Sequence, residues 1–346
     1  MRTARRTNGE RLRVLAVANW NFYGDPTPWA IARLEALRRA DADVDLLQED
    51  CQKDRRRFVQ LWRALNERLA RGDYDVVAPL YGSVLGLLCA AQRRVPCALS
   101  LAGSDLNGEP DSDGRLGLSA LPSRAASHLA AVLARGTSVR TRAMREALLW
   151  PPARASAEVI ASGVELSRFG PMDRREARRL RNLPLEGQRV VIVGSEARPV
   201  KRVELARAAV ALLPGVTLDV VDGVPHGEMR ACYAAADALV LTSYREGSPN
   251  CVKEALACAI PVVGVDVGDL REVLAGLTNC AVVAADPSAD NHALARALAD
   301  ALGRALADGR GCPEGPAHVA ERHSIDAMAR RFLQFYERVA GRSSTA

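Results

Sequence analysis

Eleven short apolar, β-branched runs alternate with longer segments of helical periodicity, and the alternation occurs in two successive series. The first series places strands at Arg13–Ala18, Val44–Gln48, Val76–Leu80, Cys97–Leu101, Thr137–Val139 and Glu158–Ala161. Between them the pattern predicts helices at Pro28–Arg39, Asp54–Arg71, Ser83–Arg93, Ser119–Ala134 and Arg140–Leu149. The second series has strands at Arg189–Val193, Val216–Val221, Ala238–Leu241, Val262–Val265 and Ala281–Ala284, again separated by helical patterns. Strands that pair in parallel need a crossover between them, so this order predicts an α/β fold with two parallel sheets, each covered by helices on both faces. The expected division is a first domain over residues 1–165, a second over 166–323, and a tail, 324–346, whose helix Ile325–Ala340 returns to the first domain. The stretch Ser162–Gly187, where periodicity lapses and the charge run DRREARRLR intervenes, reads as the boundary region. Doubly wound sheets bind ligands at the carboxyl ends of their strands, so chemistry is expected in the loops that follow strands.

Length and composition agree with this division. The 346 residues suffice for two domains of about 100–200 residues each. A content of 48% hydrophobic and 25% charged residues excludes a disordered or fibrous chain. The net charge of +6 comes from 44 Arg and only 3 Lys (Lys53, Lys201, Lys253) against 41 acids. An Ala/Arg/Gly-rich, Lys-poor chain reflects GC-rich coding, so no nucleic-acid partner is expected from the charge. The eight cysteines form no CxxC pair and the five histidines stand at no zinc-finger spacing, which gives no metal-ligand set. The thiols read as free and buried, in a reducing compartment. The apolar run Val14–Ala18 is too short for a signal peptide, and Val76–Ala91 falls short of the ~20 residues that span a bilayer. A cytoplasmic protein is expected.

The most informative stretch is Leu239–Val265, LVLTSYREGSPNCVKEALACAIPVVGV. A strand gives way to a polar loop, and Ser248–Pro249 reads as an N-cap followed by proline at the first helical position. The first amides of such a helix point unsatisfied into the loop with the positive dipole end behind them, a setting for phosphate or another anionic oxygen. Glu246 and Glu254, with seven residues between them, flank that helix start. Two carboxylates there would repel an anion unless they bind something else, and sugar and ribose hydroxyls suit them. A capped surface helix with two solvated acids is the plain alternative.

Glu246-GSPNCVK-Glu254 followed by ALACAIPVV resembles the EX7E motif of retaining glycosyltransferases of family 4, which have the two-domain GT-B fold. GVELSRF (Gly163–Phe169), VGSEARPVKR (Val193–Arg202), DGVPHGEM (Asp222–Met229) and YAAADALVLTS (Tyr233–Ser243) extend the resemblance. Together the blocks are most similar to the teichuronic-acid-type polysaccharide glycosyltransferases. The resemblance implies two facing Rossmann-like domains with a donor cleft between them. It also implies transfer of a sugar with retained configuration, from a nucleoside-diphosphate sugar to an acceptor, with no metal and no further cofactor. Carried over residue by residue, Lys201 would neutralise the departing diphosphate, an effect that acts in the transition state. Glu246 would hold the donor sugar and Glu254 the ribose. The amides around Gly247, Ser248, Pro249, Asn250, Cys251 and Val252 would face the diphosphate and sugar, and Val224 and Pro225 would hold the base. Ser195 stands where many members carry a phosphate-binding arginine, so either Arg198 or Arg202 would substitute, or the phosphate site would rely on Ser195 and backbone amides. His226 reads as a helix-start residue.

The first half carries fewer signals. In NWNFYGDPTPW, Gly24 matches one glycine of the family's first loop. SLAGSDLNG resembles the HGSD block, with Ala102 where histidine is usual; Asp105 there either orients the acceptor hydroxyl or forms an N-cap or turn. The donor is expected to be a UDP-sugar, with a hexosamine favoured, and the acceptor a glycan, a lipid-linked sugar or a small-molecule aglycone. In Asp54–Arg71 an apolar stripe (Phe58, Leu61, Trp62, Leu65, Leu69) is ringed by arginines. It reads either as a core-facing helix with a solvated basic face or as a peripheral contact with the inner face of an anionic membrane. Two other function classes share parts of this pattern: a nucleotide-sugar epimerase or hydrolase, and a non-catalytic basic protein that binds nucleic acid or glycan.

Overall fold

The computed structural model describes residues 11–19, 28–51, 54, 56–108, 117–284, 290–307, 309 and 311–342. The chain divides into two compact units, one built from residues up to Gly108, Leu118–Ala161 and the stretch from Ile325, the other from Ser162–Ser324.

In the first unit β1 (Leu12–Asn19) pairs in parallel with β2 (Ala42–Glu49) and β3 (Val76–Pro79), Val14 lying opposite Val44 and Val76. A bridge from Val77 to Cys97 leads to β4 (Ala98–Ser100), which pairs with β5 (Gly136–Val139) and then β6 (Glu158–Val159). Val14–Val17 of β1 and Val76–Ala78 of β3 are apolar and buried without a break because both faces of the sheet centre are covered. Helices α1 (Pro28–Arg39), α2 (Arg57–Arg71), α3 (Ser83–Ala91) and α4 (Leu121–Leu133) supply the cover. The stripe of α2 turns inward: Leu61, Leu65 and Leu69 are buried, and Phe58 and Trp62 pack on the same cluster. The stripe is thus the core-facing one of its two readings. The segment predicted as one helix over Arg140–Leu149 is a single turn, Arg142–Glu146, capped by Thr141, whose Oγ1 accepts from the Met144 amide at 3.1 Å. Pro151 and Pro152 then begin a separate turn, Pro151–Ser156, that the periodicity did not reveal.

The second unit holds β7 (Gln188–Val193), β8 (Val216–Val221), β9 (Ala238–Leu241), β10 (Val262–Val265) and β11 (Ala281–Val283) in the parallel order β8-β7-β9-β10-β11. Helices α5 (Val203–Val210), α6 (Asn250–Ala257), α7 (Leu270–Leu274) and α8 (Asn291–Ala307) connect or flank them. The strand order reverses between β7 and β9, so the loops after these two strands meet at the topological switch point. The charge run DRREARRLR is part of the fold and not a linker: Asp173 caps a helix at Arg174–Leu180, accepting from the Glu176 amide at 2.8 Å. Within it Arg178 is only 1% exposed; it donates to the carbonyls of Ala235 and Leu185 and to Asp237 at 2.9 Å.

The last helix, α9 (Ile325–Ala340), belongs to the first unit. Ile325, Met328, Ala329, Phe332, Phe335, Tyr336 and Val339 recur at helical spacing and are all buried, in one cluster with Leu34 and Leu37 of α1. Each large apolar side chain so buried contributes about 1.5–3 kcal/mol. Arg33 crosses this contact with its guanidinium 3.5 Å from the Phe332 ring centre, donating to Tyr336 Oη at 2.5 Å and Ser100 Oγ at 3.0 Å. Among the described residues no helix is long and apolar enough to cross a membrane.

Candidate active site

The loop after β7 runs through Gly194 to a short 3-10 turn at Pro199–Lys201, and the loop after β9 runs from Thr242 to Pro249, where α6 begins. The two are laced together: the Tyr244 amide donates to the Val200 carbonyl at 2.9 Å, and Thr242 Oγ1 donates to the Lys201 carbonyl at 2.8 Å. Lys201 Nζ thereby lies 2.7 Å from Glu246 Oε1, which also accepts from Ser243 Oγ at 2.7 Å. Burial disfavours the ammonium most, but the charge and hydrogen bond of Glu246, with Cys251 beside them, together hold the Lys201 pKa above its ordinary value. Lys201 is therefore a fixed cation. At Gly194 a side chain would collide with Lys201, since an added Cβ would stand 2.9 Å from Lys201 Cγ.

Glu254 lies one turn into α6 and is buried. Its Oε2 accepts from Tyr233 Oη at 2.6 Å, and His226 Nε2 lies 3.3 Å from Oε1. Phe169 packs edge-on against His226, with ring centres 5.3 Å apart, and tilts toward Tyr233. Burial and then the charge of Glu254 push the Tyr233 hydroxyl well above its usual range, so it remains a donor. Cys251 feels the charges of Lys201, Glu246 and Glu254. Burial pushes that thiol up to about 12, which leaves it protonated and unreactive.

Ser248 is not the N-cap that its place before proline predicts. The helix starts at Asn250, and Pro249, at the cap position, has no side chain that could accept from the first amides. The hydroxyl of Ser248 is engaged elsewhere: it donates to Asp269 Oδ2 at 2.6 Å and accepts from Lys253 Nζ and from the Ser162 amide. Lys253 is fully buried, donating also to the Ser162 carbonyl at 3.0 Å and to Asp269 at 3.2 Å. Asn250 Oδ1 and Asp269 Oδ1 are buried and accept nothing from the described residues. The loop before Asp269 presses on the same turn, because Gly268 sits at φ +62° with space for no side chain; an added Cβ would lie 2.5 Å from the Gly247 carbonyl oxygen. Gly268→Ala is expected to cost at least about 1–2 kcal/mol from the left-handed backbone alone, a Tm drop of roughly 2–8 °C. An unchanged melting curve would show that the turn is not held there.

The remaining predicted residues are placed as follows. Ser195 Oγ accepts from the Ala197 amide at 3.2 Å within a tight turn, and its carbonyl accepts from the Arg198 amide. The Arg198 side chain is exposed. Arg202, by contrast, is buried over the Tyr244 ring and donates to Asn291 Oδ1 at 2.5 Å. Val224 packs on the core beside a 3-10 turn at His226–Glu228, and Pro225 precedes that turn. Asp105, in the first unit, is fully buried and accepts from the amides of Gly82, Ala102, Gly103 and Leu106. Of its two expected roles this is the turn-forming one. Gly24 lies outside the described residues. Tyr233, Ser243, Asp269 and Ser162 were not singled out from sequence. Their contacts join segments 21 and 91 residues apart in two cases, which no local pattern encodes.

Residues 173–308 match the family described as glycosyl transferases group 1. TuaC of Bacillus subtilis strain 168, named as a teichuronic acid biosynthesis glycosyltransferase, is 30% identical over 199 residues, covering 52% of this chain and 49% of TuaC. The D-inositol 3-phosphate glycosyltransferase of Mycobacterium tuberculosis is 32% identical over 149 residues, covering 34% of this chain and 30% of that protein. The chain thus spans about half or less of the curated relatives it matches. Among solved structures, sucrose-phosphate synthase from Thermosynechococcus elongatus superposes with a TM-score of 0.77 at 18% identity, covering 96% of this chain and 100% of that one. HepE of Anabaena, solved with UDP-glucose, gives 0.67 at 15% identity over 96% and 100%. The family match falls on the unit that carries Lys201, Glu246 and Glu254, and the neighbours share the fold of nearly the whole chain: residues 173–308 are similar to the group 1 glycosyltransferases, and the fold is GT-B.

Proposed function

We propose that the protein is a retaining glycosyltransferase that moves a sugar from a nucleoside-diphosphate sugar to an acceptor hydroxyl. The observation that carries this reading is the Lys201–Glu246 pair beside the start of α6, at the point where the strand order reverses. In this reading Lys201 neutralises the departing diphosphate and the amides of Ser248, Asn250, Cys251 and Val252 face its oxygens. Glu246 accepts from the donor sugar's hydroxyls. Glu254, oriented by Tyr233, accepts from the ribose, while the backbone at Val224 and Pro225 meets the base. Arg198, exposed three residues before Lys201, supplies the second cation in place of the arginine that Ser195 lacks. The bond from the anomeric carbon to phosphate oxygen breaks as the acceptor oxygen bonds to the same face, and the acceptor proton passes to the departing phosphate oxygen. The donor is a UDP-sugar, with a hexosamine favoured. The acceptor is a hydroxyl of a glycan, a lipid-linked sugar or a small aglycone.

Because Lys201 provides the charge that a metal ion would, chelation with EDTA is expected to leave turnover unchanged. Loss of activity restored by magnesium or manganese would overturn that assignment. The reading as a whole is tested by melting the protein with UDP, GDP, ADP and dTDP. A ligand at a hundred times its Kd stabilises the native state by about 2.7 kcal/mol, so one nucleotide is expected to raise Tm by several degrees. No shift with any of the four would reject the donor site. Diphosphate release that needs no acceptor would favour a hydrolase.

A further inference from the structure

We propose that Lys253 is a positioning residue for the diphosphate–sugar half of the donor, acting through Ser248 and Asp269 on the turn 246–250; the inference rests on the donor reading above. An ammonium buried to 0% exposure is costly, and an apolar side chain of similar volume commonly serves a core better. What the charge does here is geometric. Lys253 stands next to Glu254 in α6 but turned roughly 100° around the helix. Its Nζ gathers three segments: the Ser162 carbonyl at 3.0 Å, Ser248 in the turn, and Asp269 in the loop after β10 at 3.2 Å. Ser248 and Asp269 are joined to each other at 2.6 Å, and the Ser162 amide closes the cluster on Ser248 at 3.2 Å. The Asp269 loop touches the turn a second time, through Gly268 against the Gly247 carbonyl. The turn that presents Glu246 and the first amides of α6 is thus pinned from beneath by one cation. Glu254 draws its own partners, Tyr233 and His226, from other segments.

Removing the cluster's charges should therefore separate the two halves of the donor. Lys253→Met alone strands the Asp269 carboxylate and risks the fold, so the test uses Lys253→Met/Asp269→Asn, which removes both charges together. Calorimetry well below the Tm of each protein would compare UMP with UDP-glucose. If wild type takes GDP, ADP or dTDP in the melting panel, the matching monophosphate and sugar nucleotide are used instead. The double variant is expected to bind the monophosphate within about 3-fold of wild type and the sugar nucleotide roughly 10-fold or more weakly. A purely structural role would change the melting temperature and leave that ratio alone. Equal loss for both ligands, or loss for neither, overturns the inference. Wild type that binds no nucleotide overturns the donor reading beneath it.

Discussion

Lys201→Ala is expected to slow sugar transfer roughly 10²–10³-fold, the scale on which removing one fixed electrostatic partner of a departing group acts. The argument rests on placement. Lys201 cannot swing freely, because its carbonyl accepts from Thr242, its stem fits against Gly194 and its ammonium sits 2.7 Å from Glu246. A preorganised cation needs no rearrangement when charge develops on the diphosphate. Its protonation is secure: the folded value lies above the ordinary 10.5, so the stabilisation from the pair is present below 10.5 and is lost only as pH rises through the folded value. Lys201→Arg keeps the charge but not the shape, and is expected to recover little. The measurement is acceptor-dependent release of nucleoside diphosphate under single-turnover conditions. Wild-type rates in Lys201→Ala would reject the assignment.

Glu246→Gln is expected to lower kcat/KM by roughly 10²-fold, with the fold retained because the amide fills the same space. Two consequences follow from one lost charge. The donor sugar loses a strong acceptor for its hydroxyls, since charged acceptors form bonds about twice as strong as neutral ones. Lys201 loses the charge and hydrogen bond that oppose its burial, so its pKa must fall from the raised position it holds now. The residual activity of Glu246→Gln should then decline at a lower alkaline pH than that of wild type. A pH profile with an unmoved alkaline limb would show that the two side chains are not coupled in solution.

These residues could be named from sequence because the blocks around them are continuous, whereas their partners could not. The strands Val216–Val221, Ala238–Leu241 and Val262–Val265 coincide with the predicted runs, and the latter two, buried throughout, read as unbroken apolar segments. The helix Ile325–Ala340 likewise coincides, its apolar stripe repeating without interruption. Where reading failed, a tertiary partner had overridden a local rule. Ser248 looks like a cap until Asp269 and Lys253 claim its hydroxyl, and Arg178 looks like one solvated arginine among several until Asp237 and two carbonyls bury it. Tyr233 opens the block YAAADALVLTS, yet nothing in that block assigns it a role, because a tyrosine near the end of a short helix shows its purpose only beside Glu254.

The placement of α9 has a consequence for biosynthesis. The cluster around Leu34 and Leu37 is incomplete until Phe332, Phe335 and Tyr336 have been translated, yet every residue of Ser162–Ser324 is made before them. The first unit therefore closes only after the second has been made. During synthesis Arg33 waits without the Phe332 ring and the Tyr336 hydroxyl, while all five strands of the later unit have already been made. Emergence and completion of the first unit are thus separated, so chaperone demand should concentrate on the exposed α1 surface in the interval between them.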